Sequence, residues 1–70
     1  MATSVTIGQK WSVWSPNRRQ WLLATVIGQE GGRATLKFDT RYGISASDDR
    51  QEADECAMLE ESNLFRFVGP

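Results

Sequence analysis

Four aromatic side chains stand beside two polar turns, and they are the residues of this chain best suited to binding. Trp14 and Trp21 flank one turn, and Phe38 and Tyr42 flank the other. Aromatic faces attract cations and offer apolar area to a flat group. If both turns meet at one rim of a small antiparallel barrel, they form a shallow pocket for a flat or cationic side chain. Asp39 supplies a carboxylate for the cationic group.

Catalysis and metal binding have few candidates in this sequence. It contains no His to act as a near-neutral base, and its one cysteine, Cys56, has no imidazole partner. The same counts exclude an intramolecular disulfide and a multi-cysteine zinc site. The acidic residues Asp48, Asp49 and Asp54 lack the glycine and the terminal glutamate of the helical calcium loop. We therefore expect no enzyme activity, no metal and no cofactor.

The charge is divided unevenly along the chain, although the net charge is only −1. Residues 1–47 hold six basic and two acidic residues, a balance of +4, whereas residues 48–70 hold two basic and seven acidic ones, a balance of −5. These charges are either ordinary solvated faces or one electropositive contact face beside an acidic segment. The second interpretation gives an alternative function, nucleic-acid binding with an aromatic stacking platform. The residues expected to carry it are Arg18, Arg19, Lys37 and Arg41.

Apolar periodicity predicts strands through the first half of the chain. Residues 10–15 place Trp11 and Val13 on one face, the period of two typical of a half-buried strand. The turn after them contains Pro16 and Asn17. Residues 20–29 are apolar on both faces. One face holds Leu22, Ala24 and Val26, and the other holds Trp21, Leu23, Thr25 and Ile27.

The alternation is cleanest in residues 33–39, where Ala34, Leu36 and Phe38 point inward, after a turn that ends in Gly31 and Gly32. The pattern is lost over residues 45–58. We expect a loop at 45–55 and a strand at about 57–59, with a short helix near 50–58 as the alternative. A turn or a single helical turn at 60–63 and a closing strand from Leu64 to Val68 complete the sequence.

Seventy residues correspond to a single domain, 1–70, with a flexible start at 1–6. Such a short chain buries only roughly 60% of the surface that its unfolded form exposes, so its core is thin. The longest apolar run, residues 21–24, is far too short to span a bilayer. We expect a soluble, cytoplasmic protein, complete from Met1, with no membrane partner. Because an apolar face is uncommon on a monomer, homodimerisation through Trp21, Leu23 and Ile27 is a further hypothesis.

Five short strands joined mostly by tight turns match a small, partly open antiparallel barrel of the SH3-like class. Within residues 7–43, two runs resemble the Tudor family: "IGQKWSVWSPNRRQWLLATV" and "ATLKFDTRYG". The family shows a glycine and an aromatic around its first strand, an aromatic-x-Ala pattern in its second, and an aromatic before a glycine later. The resemblance implies an all-β, five-stranded Tudor-like barrel.

The resemblance also implies a protein-interaction domain that holds a methylated Lys or Arg in an aromatic cage. Trp14 occupies the first-turn aromatic position, Phe38 the third-strand one and Tyr42 the one before the glycine. The chain departs from the family at Leu22, where an aromatic is usual, and at Ile44, where Asn or Asp is frequent. We expect a non-catalytic module with a protein or peptide partner; the alternatives are the nucleic-acid function and a structural subunit of a larger assembly.

Overall fold

In the computed structural model, which describes residues 4–60 and 63–70, five antiparallel strands form one sheet. The strands are β1 Lys10–Ser15, β2 Gln20–Glu30, β3 Arg33–Phe38, β4 Arg50–Asp54 and β5 Phe65–Gly69. A 3₁₀ turn, Thr40–Tyr42, follows β3, and a short helix, α1 Glu55–Leu59, links β4 to β5. The all-β, antiparallel prediction is confirmed. No helix in the described residues is long and apolar enough to cross a membrane.

The strands lie in the order β4-β3-β2-β1-β5, so β4 and β5 are the edges. Among the described residues no pairing joins the two edges, and the sheet is not closed. Helix α1 contacts both edge strands. The observed sheet is compatible with the predicted barrel, and its SH3-like form stays a prediction.

The core lies on the face of the sheet that the alternation predicted. In β1, Trp11 and Val13 are buried while their neighbours are half exposed. In β2 and β3 every second residue is buried in the same way, because successive side chains of a strand point to opposite faces. The buried residues of these two strands are Leu22, Ala24, Val26, Ala34 and Leu36.

The hairpin between β2 and β3 explains the two adjacent glycines. Gly31 and Gly32 have φ of 58° and 80°, and Glu30 pairs with Arg33 across them. A two-residue turn with positive φ at both central positions matches the right-handed twist of the flanking strands. The predicted turn is therefore confirmed, and it fixes the register of β3 against β2.

The structure corrects the predictions for residues 45–58. The strand expected at 57–59 is wrong: these residues belong to α1, and β4 lies earlier, inside the expected loop. Helix α1 forms because the Asp54 carboxylate caps it, accepting a hydrogen bond of 2.8 Å from the backbone N–H of Cys56. The alternative prediction of a short helix near 50–58 is right only from Glu55 onward.

Two predicted segments fall partly outside the described residues. Residues 1–3 of the segment 1–6, which was predicted to be flexible, lie outside the described residues, whereas Val5 is buried in the core. Residues 61 and 62 of the predicted turn at 60–63 also lie outside, while Glu60 and Asn63 on either side are in turns.

Candidate functional site

A groove of about 620 Å³ lies at the end of the sheet, between the β1–β2 turn and the segment that follows the 3₁₀ turn. Residues 14–18 line one side, and residues 43–45 and Asp48 line the other. Leu22, Phe38 and Gln51 complete the lining, one each from β2, β3 and β4. The groove therefore combines strand residues, held by the sheet, with two loop walls.

Local hydrogen bonds shape the second wall. The Asp39 carboxylate accepts from the backbone N–H of Arg41 at 2.9 Å and starts the 3₁₀ turn. Gly43 ends it with φ 65°, the left-handed conformation that glycine adopts without steric cost. The backbone N–H of Phe38 then donates to the carbonyl of Asp49 at 2.7 Å. This bond fastens the returning loop to the end of β3.

The lining combines apolar side chains with charged ones on its two walls. Trp14 and Phe38 contribute aromatic surface, and Leu22 and Ile44 contribute aliphatic surface. Asp48 is exposed, and one of its carboxylate oxygens accepts from the Ser45 hydroxyl at 3.2 Å. An apolar slot with a carboxylate on its wall suits a long aliphatic side chain that ends in a positive charge.

Arg18 is the one basic side chain of the groove lining, and its guanidinium is already engaged. Its Nη1 donates to the backbone carbonyl of Tyr42 at 3.1 Å. The bond ties the β1–β2 turn to the 3₁₀ turn across the end of the sheet. Arg18 thus holds the two walls together.

Two of the five predicted ligand-binding residues, Trp14 and Phe38, line this groove, and three do not. The hydroxyl of Tyr42 accepts from the backbone N–H of Leu23 at 2.8 Å, which ties its ring to β2. Asp39 forms an ion pair with Arg41, with 3.2 Å between Oδ1 and Nε. The predicted rim of Trp14, Phe38 and Tyr42 is thus only partly assembled.

Trp21, the fifth predicted residue, is not part of the groove lining. It pairs with Trp14 across β1 and β2, with ring centroids 5.6 Å apart in an edge-to-face arrangement. The guanidinium of Arg66 lies 4.3 Å from the centroid of the Trp21 ring. Any ligand bound by Trp21 would therefore meet the face of the sheet rather than its end. Ligand binding by the five residues stays a prediction.

Four residues that were not predicted as ligand contacts also line the groove: Leu22, Ile44, Asp48 and Gln51. For Leu22 and Ile44 the signal was present, because the Tudor resemblance assigned those two positions to the site and this chain fills them with aliphatic residues. For Asp48 no signal existed, since a Ser- and Asp-rich segment is typical of any polar loop.

The four basic residues of the alternative nucleic-acid prediction are divided between two places. Arg18 and Arg41 both lie beside Tyr42, and the Arg41 guanidinium is 5.9 Å from its ring centroid. Arg19 lies in the exposed β1–β2 turn with φ 52°. Lys37 lies near the end of β3, where it pairs with Arg50 of β4, and is not part of this cluster.

The predicted dimer face lies on the outer side of β2. Trp21 and Leu23 are half buried there, and Ile27 is 38% exposed next to an irregularity in the β2–β3 register. Dimerisation through this face stays a prediction.

The Asp39–Arg41 pair gives the first testable prediction. The pKa of Asp39 lies below its ordinary value of 3.8, mainly because the backbone N–H of Arg41 donates to the carboxylate and further because the guanidinium does so. The same carboxylate raises the pKa of Arg41. Replacing Arg41 with Gln should raise the Asp39 pKa only part of the way back, since the backbone donor remains. Carboxyl ¹³C titration by NMR measures it.

The lowered pKa of Asp39 in the folded state determines how the stability of the domain changes with pH. The Asp39 interactions stabilise the fold above the unfolded pKa, and their contribution is lost as the pH falls through the folded pKa. Arg33→Gln is the control, because Arg33 pairs with Glu52 and should leave the Asp39 titration unchanged. An Asp39 pKa that returns fully to the ordinary value in Arg41→Gln would contradict the leading role of the backbone bond.

Comparison with known protein families, curated proteins and solved structures finds no match to this chain. Within the described residues, no group of three or more His, Cys, Asp or Glu side chains is arranged to hold a metal ion.

Proposed function

We propose that this domain is a non-catalytic interaction module that binds a protein or peptide segment by holding a cationic side chain in the end groove. The observation that carries the proposal is the groove itself, which joins Trp14 and Phe38 to an exposed carboxylate, Asp48. A small domain of Tudor-like, SH3-like form would use this end of its sheet in the same way. The expected ligand is Lys, Arg or one of their methylated forms.

Each part of such a side chain has a counterpart in the lining. The methylene stem is suited to the partly exposed Ile44, because apolar contact removes both surfaces from water, while Leu22, already buried, forms the floor beside it. The charged head is suited to the aromatic faces of Trp14 and Phe38, where desolvation strengthens the cation–π attraction. Asp48 adds an opposite charge on the wall. A neutral aliphatic side chain would gain the apolar contact but neither the cation–π attraction nor the attraction to Asp48.

The second prediction compares two carboxylates of similar type. Asp48→Asn should weaken the binding of a lysine or trimethyllysine peptide by about two- to fivefold, the range expected for one exposed ion pair. Asp39→Asn should leave the affinity unchanged, because Asp39 lies outside the groove lining and the Asn side-chain oxygen can still accept from the backbone N–H of Arg41 that starts the 3₁₀ turn. Fluorescence anisotropy with labelled peptides measures both.

The peptides should differ at a single position, holding Lys, trimethyllysine, Arg, dimethylarginine or Leu between the same Gly and Ser flanks. In ¹H–¹⁵N spectra the indole N–H of Trp14 should shift with the cationic peptides. The proposal fails if none of them shifts that signal, or if the Leu peptide binds as tightly as the Lys peptide. Equal losses of affinity in Asp48→Asn and Asp39→Asn would contradict the assignment of the ion pair to Asp48.

A further inference from the structure

The outer face of the sheet, opposite the core, carries a row of cations that the groove does not use. In the antiparallel register Lys10 pairs with Thr25, Thr25 with Lys37, and Lys37 with Arg50. Directly paired residues project from the same face, so these four side chains form one line across β1, β2, β3 and β4. Three of the four are positively charged.

The charges of this row are poorly compensated within the described part of the chain. Like charges directly opposite each other destabilise a sheet, and Lys37 and Arg50 are such a pair. The structure gives the Lys37 ammonium no hydrogen bond or ion pair with any residue in 4–60 or 63–70. The Nε of Arg50 is 3.8 Å from Oδ1 of Asp49, longer than a hydrogen bond.

Lys10, the remaining cation of the row, is held in place by a neutral neighbour. The Lys10 ammonium donates to the Thr25 hydroxyl at 2.8 Å, which orients it without cancelling its charge. An external anion lying along the row would therefore find one ammonium group held in place by Thr25, with the Lys37 ammonium and the Arg50 guanidinium beside it. The repulsion between Lys37 and Arg50 would be relieved by such an anion.

Aromatic surface adjoins the row on the same face. Ser12 lies between Lys10 and Trp14 on this face of β1, and its pairing places Leu23 and Arg66 there too. Trp14 pairs with Trp21 toward the end of the sheet. The Arg66 guanidinium lies over Trp21, and the Trp14 ring meets Trp21 edge to face. Between Thr25 and Trp21 the distance along β2 is about 14 Å, at about 3.4 Å per residue. A cationic row and a stacking layer thus lie within the span of a few nucleotides.

We infer that this outer face binds single-stranded nucleic acid. The residues that define it, here named the basic–aromatic face, are Lys10, Lys37, Arg50, Arg66, Trp14 and Trp21. Cations that follow the phosphates and flat groups that stack on unpaired bases are the combination that sequence-tolerant single-strand binders use. A double helix keeps its base faces stacked inside. It would therefore contact the lysines but offer no base to stack on Trp21.

The acidic residues offset the charge of this face only in part, and they make the net charge −1. Glu52 pairs with Arg33 farther along β3 and β4, and the Asp39 carboxylate, which is paired with Arg41, also lies near enough to Lys10 to interact with its charge. Of the residues predicted from sequence for nucleic acid, only Lys37 belongs to the basic–aromatic face. The face and the end groove share Trp14, but neither proposal depends on the other.

The test measures binding of labelled oligo-dT and oligo-U, about 12 nucleotides long and so within the site sizes of small barrels. Anisotropy and tryptophan quenching are followed at increasing salt. Binding should weaken steeply with salt, and Lys10→Gln with Lys37→Gln should lower the slope by about 0.7 for each lysine. The double variant should bind about tenfold more weakly at low salt, and Trp21→Ala should lose most of the quenching.

Two controls keep the result specific. Arg33→Gln removes a cation from the same strand as Lys37, but one that is paired with Glu52, and should bind like wild type. Asp48→Asn alters the groove alone and should also bind like wild type. Circular dichroism shows whether each variant is folded.

Several results would overturn the inference. They are no saturable binding at the lowest salt, a double lysine variant that binds like wild type, and a duplex that binds more tightly than either single strand. Polyglutamate of equal charge that binds as tightly and quenches as strongly would instead identify an acidic protein segment as the occupant, and nucleic acid would be rejected.

Discussion

Replacing Trp11 with alanine is expected to remove a large share of the stability of the domain. Trp11 is the largest fully buried side chain of the described core, with 0% exposure. Its ring meets Phe67 edge to face at 5.4 Å, and its indole N–H donates to Oε1 of Gln9 at 3.1 Å. The substitution therefore creates a cavity between β1 and β5 and removes a hydrogen bond that ties the chain before β1 to the sheet.

The effect of Trp11→Ala depends on how its cost compares with the total stability of the domain. Truncating a buried tryptophan to alanine costs about 3–5 kcal/mol, whereas a domain of this length has a stability of about 4–10 kcal/mol. Thermal and urea unfolding, followed by circular dichroism, should show a midpoint about 15–30 °C lower, or no transition at all.

Two variants make the Trp11 test specific. Trp11→Phe keeps a ring against Phe67 and gives up the indole N–H, so it should lose much less stability than the alanine variant. Trp14→Ala removes the same side chain from the half-buried end of β1 and should also cost less. If Trp14→Ala destabilises the fold as much as Trp11→Ala, the assignment of Trp11 to the centre of the core is wrong.

The strand faces were predictable because burial alternates along each strand. Trp11 and Val13, and likewise Ala34 and Leu36, are apolar at every second position, and the structure buries them. Strand β4 offered no such signal, since Ala53 is its single buried residue. It is placed by its partner instead: the hydrogen-bonding edge of β3 pairs with it from Arg33 to Lys37. A pairing energy of this kind is not written in the strand's own sequence.

The groove was predictable only in part, because contacts between segments that are distant in the sequence decide which side chains line it. Aromatic residues beside turns identified Trp14 and Phe38, which the structure brings to one groove. Tyr42 looked equivalent in sequence, but its hydroxyl is bound by the backbone of Leu23, a contact that depends on how the 3₁₀ turn folds back on β2. Asp48 enters the groove because the loop before β4 is fastened to Phe38.

The row of cations on the outer face required information that no single segment contains. The alignment of Lys10 with Lys37 needs the registers of two hairpins, β1–β2 and β2–β3. Adding Arg50 needs β4, which falls inside the segment expected to be a loop. Surface sites built across strands are therefore harder to predict than sites built at turns.

Met58→Ala is expected to produce the second large loss of stability. Met58 is the buried residue of helix α1, with 0% exposure, and it belongs to the same core cluster as Trp11. Truncating a buried methionine to alanine costs about 2–5 kcal/mol. A helix of five residues has little stability of its own, because helix nucleation is unfavourable, so its packing must hold it in place.

The consequence should extend beyond the helix, because α1 contacts both edge strands. We expect amide hydrogen exchange in β4 and β5 to accelerate more than exchange in β2, along with a lower urea midpoint. Met58→Leu nearly conserves the volume and should cost less than about 1.5 kcal/mol. A Met58→Ala protein with the stability and edge-strand exchange of wild type would show that the helix packs loosely. The open side of the sheet would then be stable without it, and the core would depend on the five strands alone.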